Sequence, residues 1–502
     1  MKKFKIILLI TLGFTLNSCE LEESPIFLDK DAVYTNITVA RSALDGIYQG
    51  LTSYGGQEQR LFVVNGYSGH FNTGKNGNSN SNINNSNLFS LSPNYDKDSS
   101  DMWQALYNTI GRCNGAIVNI TPTENVSGFN DILGQAYFVR AWTYFSLVRL
   151  FGDIPLWLTL PDSDNLNLPK STARDVYAQI ISDAEMALSL MNGQDQGSGY
   201  PKEFAANMLL AKVYMTLATN PTLQASGMSE AQYWQMAYSE ATKVYGQYSL
   251  VSEYSSLFTN EVRNSSESIF ELQISEAAAN SQMGRNFSPW KWKAGQCFGW
   301  FKVHADVYDD HAATYPGDPR IEGTYLYEYT RADNGNTARF YPANASRSRY
   351  FNAHPFLFKF ANKDKTSATQ FGDQNLIIYR YADLLLMLAE ISNELQNGEQ
   401  IGYVSEVLNR AGMAPHSGFT GTKEEFRDAI MREYRYELLG EGEDSHNNRR
   451  RGHLYFMTHV IDKHNNAPNL KNSVDLILSA DPTKVMQLPI PLVEINTNEL
   501  ID

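Results

Sequence analysis

Between Asp131 and Tyr245 the apolar positions recur every three or four residues, the period of a helix with one buried face. The run DILGQAYFVRAWTYFSLVRLFG aligns Ile132, Ala136, Val139, Trp142, Phe145, Val148 and Phe151, and Gly152-Asp153 with Pro155 ends it. STARDVYAQIISDAEMALSLM opens on a Ser/Thr cap and repeats at Val176, Ile180, Ala184 and Leu188. KEFAANMLLAKVYMTLA repeats at Ala205, Leu209, Val213 and Leu217, and EAQYWQMAYSEATKVYG at Tyr233, Ala237, Ala241 and Tyr245. The same pattern returns at Tyr379 to Leu395, Val404 to Arg410 and Lys423 to Leu439, and a first helical stretch lies around Asp31 to Tyr48. Trp103, Trp142 and Trp234 fall at core positions of this pattern.

Helices that recur in pairs every few tens of residues, with alanine where a neighbour approaches closely, resemble tetratricopeptide-type pairs. One pair cannot bury its own apolar face, so pairs stack. Two regions break the pattern. Asn65 to Pro93 is rich in Asn, Ser and Gly, the chemistry of turns. Ser266 to Ser367 is long, mixed and aromatic. The expected architecture is mainly α: one large domain, residues 31–502. Its helical scaffold covers about 31–260 and 371–502 and carries a loop-rich insertion at about 261–370 with a few short strands.

Ahead of that domain stands a leader. Lys2, Lys3 and Lys5 precede the apolar run Ile6 to Leu16, which has the length of a signal-peptide core and is too short for a membrane span. It ends in Leu16-Asn17-Ser18-Cys19, which resembles a bacterial lipobox. The resemblance implies cleavage after residue 18 and acylation of Cys19, followed by an acidic tether at 19–30. Acyl chains supply about 0.8 kcal/mol per buried methylene, so they anchor a protein without a spanning helix. Glu20, Glu22 and Glu23 directly after the cysteine resemble the export mark of surface lipoproteins of the Bacteroidetes, which implies the outer face of the outer membrane.

Charge narrows the partners. The formal net charge is −14, and the leader's lysines are lost on cleavage. That excludes the basic footprint wanted by nucleic acid or by an anionic lipid surface. The three cysteines build no disulfide framework; Cys113 and Cys297 could form one bridge in an oxidising compartment, but read more readily as two isolated buried thiols.

With these elements in place, a family emerges. AYFVRAWTYFSLVRLFGDIPL (Ala136 to Leu156) resembles the signature helix of the SusD/RagB nutrient-binding outer-membrane lipoproteins. In family order follow RDVYAQIISD, KEFAANMLLAKVYM, ESIFELQ, GDPR (Gly317 to Arg320), IIYRYADLLLMLAEISNEL, VLNRAGM, REYRYELLGEG (Arg432 to Gly442) and LPIPLVEINTNE. The resemblance implies four tetratricopeptide-like helix pairs with an irregular binding region. It implies non-catalytic capture of a nutrient, most often an oligosaccharide, as the lid of a SusC-like TonB-dependent barrel. The pattern departs at Asp444 and Ser445, which predicts weaker packing near Arg450.

A glycan site needs flat aromatic faces ringed by hydrogen-bonding groups. RNFSPWKWKAGQCFGW (Arg285 to Trp300) holds three of the seven tryptophans in a loop-like run, so Trp290, Trp292, Trp300 and Phe287 are candidate ligand contacts. The Asn-rich loop adds Tyr67, His70 and Phe71. The same rings could instead fill a satellite core beneath the insertion. HADVYDDHAATYPGDPR (His304 to Arg320) contains metal-ligating residue types, but their spacing fits no standard cage and reads as an acidic amphipathic helix. DKDSSD (Asp96 to Asp101) has some character of a calcium loop, without the glycine and distal glutamate of an EF-hand. No cofactor is expected; a structural calcium stays open, as some relatives hold one. The alternatives are a peptide-capturing relative, a protein scaffold that grips its partner in a helical groove, and more remotely a glycoside hydrolase. No GxSxG or HExxH motif supports the last.

Overall fold

The computed structural model describes residues 34, 36–73, 97–120, 128–161, 166–193, 197, 199–278, 280–339, 341, 354–466 and 485–501. The leader, Cys19, the acidic tether and most of the Asn-rich loop lie outside the described residues.

The helices follow the apolar period. α1 (Ile37–Thr52) is capped by Asn36, whose side chain accepts from the amides of Thr38 and Val39. After a π-helical turn, α2 (Arg60–Gly66) is buried along its length. Next come α3 (Lys97–Asn119), α4 (Phe129–Phe151), α5 (Ala173–Met191), α6 (Glu203–Ala218) and α7 (Glu230–Val244). Ser229 and Gln232 close a capping box at the start of α7. Packing runs α1 on α3, α3 on α4, α4 on α5, α5 on α6 and α6 on α7, so each pair covers the open face of the next. Small residues set the close crossings. A Cβ on Gly134 in α4 would stand 2.7 Å from Met191 of α5, and one on Gly50 in α1 would meet Thr109 of α3.

The insertion begins at β4 (Ser268–Leu272) and contains α8 (Met283–Phe287), β5 (Phe301–Val303), α9 (Ala305–Thr314), α10 (Arg320–Thr324), β6 (Tyr325–Leu326), β7 (Glu328–Thr330), β8 (Thr337–Arg339) and β9 (Phe356–Leu357). The chain leaves it through β10 (Leu376–Arg380), which pairs antiparallel with β4. A four-stranded sheet has the order β1-β5-β9-β6, where β1 is Phe71–Thr73 from the early loop. A short β2–β3 ribbon, Ile154–Pro155 with Lys170–Ser171, links α4 to α5.

The scaffold resumes with α11 (Tyr381–Leu395), which packs on α7, on α12 (Gln400–Arg410) and on α13 (Lys423–Leu438). α14 (Asp444–Arg450), α15 (His453–Phe456), α16 (Asp462–Asn465) and α17 (Leu492–Thr497) complete it. The insertion stands on the scaffold through buried ions. Glu433 and Glu437 lie one turn apart on one face at the end of α13, and Glu441 follows in the turn just beyond it. Arg320 from the insertion binds Glu433 (2.5 Å) and Glu437 (3.0 Å). Arg380 of β10 binds Glu267 (2.7 Å), Glu437 (2.6 Å) and Glu441 (2.8 Å), and Lys359 reaches Glu441 (2.6 Å). Burial alone would raise Glu437, but Arg410, Arg380 and Arg320 hold it well below the usual carboxylate range.

One sequence expectation is corrected here, and one alternative it left open is resolved in part. Packing near Arg450 is not weakened: Arg450 and Arg451 fork onto Glu390 of α11, and Arg451 also reaches Glu394. The residues at the departure serve the core instead, since Asp444 pairs with His70 at 2.8 Å. The DKDSSD stretch is not a calcium loop over its described part. Asp98 and Asp101 lie in the first turns of α3, and both accept from the Gln59 amide. Cys113 and Cys297 are buried free thiols, as expected.

Candidate functional site

The aromatic run after α8 divides by direction. Phe287, the last residue of α8, is fully buried and stacks on Phe301 at 5.6 Å. The chain then turns: the Trp292 amide donates to Pro289 O at 3.0 Å, with Lys291 in the left-handed region at φ 65°. The turn sends its two tryptophans to opposite sides. Trp292 is 5% exposed, donates from Nε1 to Asn362 O at 2.5 Å, and meets Tyr329 and Phe358 edge-on. With Leu326, Tyr329 and Phe356 it forms a satellite core under the insertion. Trp290 is 54% exposed.

The β7–β8 hairpin builds the surroundings of Trp290. Tyr329 donates its hydroxyl to Trp290 O at 2.6 Å, and the Ala332 amide donates to Lys291 O at 2.8 Å, which holds the hairpin against the turn. The Arg331 guanidinium stands 4.8 Å from the Trp290 ring centroid and the Lys291 ammonium 5.2 Å. Asp333 takes two hydrogen bonds from Arg331, at 3.0 and 2.6 Å, and these hold its carboxyl below the usual range. The result is an open indole beside fixed donors and acceptors. An indole face packs against the C–H face of a pyranose, and the charged groups suit ring hydroxyls.

The other candidates lie elsewhere. Trp300 is half-buried, stacked on Phe298 (5.2 Å, 9°) and edge-on to Phe62. Tyr67 and Phe71 are core residues, against the expectation of ligand contact. Tyr67 donates to Gln487 O at 2.9 Å under the Arg449 guanidinium, and Phe71 packs edge-on against Phe301 from β1. His70 is buried against Asp444. Phe287, Trp292, Tyr67, His70 and Phe71 are therefore covered in this conformation; for Phe71, and for His70 beside it, pairing of β1 with β5 draws the early loop into the insertion's sheet. Sequence reasoning missed Arg331 and Asp333. A signal existed: Asn334-Gly335 between alternating residues marks a hairpin, and Gly335 has φ 71°.

An open cleft of about 670 Å³ also lies between α1, α3 and the insertion, lined by Tyr54, Asp101, Gln104, Asn108, Arg112 and Gln282 among others. It is rich in amides but has no exposed indole.

Comparison with known proteins agrees with this architecture. Residues 218–502 match the model of the SusD family, and residues 25–215 match a model described as "Starch-binding associating with outer membrane". The chain belongs to the SusD family, whose proteins are non-catalytic binding proteins. SusD-like protein P2 of Formosa agariphila is 26% identical over 475 residues, 88% of this chain and 89% of the relative. A SusD superfamily protein from Bacteroides vulgatus ATCC 8482 superposes with a TM-score of 0.73 at 22% identity, covering 93% of this chain and 98% of that one. A laminarin-binding SusD-like protein superposes with a TM-score of 0.72 at 21% identity, with the same coverages. The mainly helical SusD-like fold expected from the sequence is the fold observed.

Proposed function

We propose that this protein is a lipid-anchored subunit at the cell surface that captures a glycan on the Trp290 platform and passes it to a SusC-like TonB-dependent outer-membrane transporter. The observation that carries the glycan reading is the exposure of Trp290, the one open tryptophan among the described residues, beside the paired Arg331 and Asp333. The laminarin-binding relative with this fold supports the ligand class. Family membership supports the transporter partner, and the family description supports the outer membrane. Leu16-Asn17-Ser18-Cys19 and the acids Glu20, Glu22 and Glu23 support the lipid anchor and its outward address.

The test is calorimetric titration of the mature protein with laminarin, starch, other glycans and peptides. One glycan should bind saturably, and Trp290→Ala should weaken it by up to about 10-fold, the loss expected from one aromatic stacking contact. Binding that survives Trp290→Ala moves the site off the platform. A response to peptides alone replaces the ligand class. Membrane retention of Cys19→Ser in cell fractionation would defeat the anchor.

A further inference from the structure

The acidic stretch His304 to Arg320 splits its histidines between two environments. His311, in α9, is tied to Asp318 at 3.0 Å and belongs to the Arg320 ion network. His304 follows β5 directly and caps α9 at the junction, where its backbone amide donates to His70 O at 2.8 Å. Its side chain is buried, and neither ring nitrogen has a hydrogen-bond partner among the described residues. Leaving such a group dry and unpaired is costly.

Two further ligand types meet it. Asp306 stands one residue into the first turn of α9. His464, on α16, arrives from 158 residues further along the chain and places Nδ1 3.2 Å from Asp306 Oδ1. The His304 and His464 rings lie 3.6 Å apart between centroids, and His464 Nε2 is buried without a partner. One ligand atom from each of His304, Asp306 and His464 lies within 4.8 Å of the others. The neighbouring imidazoles are already committed. His354 Nδ1 accepts from the Ala305 amide at 3.1 Å, which places its proton on Nε2 and leaves no lone pair. His70 is paired with Asp444.

We propose that His304, Asp306 and His464 form a site for a divalent transition-metal cation, with zinc the best chemical match. Two imidazoles and a carboxylate suit zinc; calcium takes six to eight oxygens, which this set does not offer. Around tetrahedral zinc, with ligand bonds of roughly 2.0–2.2 Å, neighbouring ligand atoms stand about 3.3–3.6 Å apart. His464 Nδ1 and Asp306 Oδ1 stand 3.2 Å apart, slightly inside that spacing, and loading would part them a little and draw His304 inward. Three protein ligands leave a fourth position for water. The bound cation joins the insertion, through β5 and α9, to the C-terminal helix α16. Its role is therefore a staple between two parts of the chain far apart in sequence. It is independent of the Trp290 platform.

The mature chain without a histidine tag, stripped with a chelator and reloaded, tests this. Elemental analysis should find one zinc per chain, and zinc but not calcium should raise the melting temperature. Cobalt(II) in place of zinc should give the intense visible absorption of a tetrahedral nitrogen/oxygen site, a readout that needs no variant. His304→Gln and His464→Gln should each weaken zinc binding on the order of 100-fold. His354→Gln should leave it within a few-fold. Sub-stoichiometric zinc after reloading, octahedral cobalt spectra, stabilisation by calcium instead, or unchanged affinity in both ligand variants would each overturn the site.

Discussion

Trp290 and Trp292 are two residues apart and have opposite roles. The left-handed Lys291 turns one indole out beside Arg331 and folds the other onto Tyr329 and Phe358. Truncation should separate them. Trp290→Ala should lose glycan binding with a melting temperature within a degree or two of the parent, because the ring is half open. Trp292→Ala removes a buried ring and a hydrogen bond to Asn362 O, and should cost about 3–5 kcal/mol in urea unfolding. Equal stability losses in both variants would contradict the two-sided turn. The composition of Arg285 to Trp300 pointed to the right segment, but it could not say which ring faces water. That choice rests on one backbone dihedral and on a hairpin some forty residues downstream.

Among the elements, α13 carries the most constraint. It starts in a capping box between Thr422 and Glu425 and ends in the carboxylates of Glu433 and Glu437, which Glu441 joins from the turn just beyond. Thr422→Ala should cost about 1 kcal/mol, the ordinary value of an N-cap. Glu437→Gln should cost about 3–5 kcal/mol, because Arg320, Arg380 and Arg410 all lose a buried counter-charge at once. Both are readable from denaturant midpoints, and a Glu437→Gln protein as stable as its parent would show that the network is not cooperative. The helices were legible from their period because each buries a continuous stripe. β1 was not, since a three-residue strand in an Asn-rich loop has no periodic signal and gains its partner only from β5.

For the whole molecule, paired carboxylates set the acid limit of stability. Arg427 and Arg451 outweigh the effect of burial and hold Glu394 down to about 2, and His311 and Arg320 hold Asp318 at about 2. Both folded-state values lie below the ordinary 4.5 and 3.8. Their stabilisation is therefore complete above those ordinary values and is lost as pH falls toward 2. Unfolding free energy should begin to fall below about pH 6.5, where the unfolded chain protonates histidines that burial keeps neutral in the fold, such as His354 and His446, and fall further below about 4.5 as these carboxylates protonate. A curve that stays level down to pH 3 would show that these pairs carry no net stability.

The sequence by itself determined the helical stack and its family. Amphipathic period and small residues at helix crossings are local properties of the chain, and local physics reads them. Only the tertiary structure decided which aromatic ring is open, why Tyr67, His70 and Phe71 are core, and how His304 and Asp306 meet His464. Each of these depends on contacts between segments tens to hundreds of residues apart. Such contacts leave no periodic trace, because burial is set by what packs against a residue and not by its neighbours in the chain.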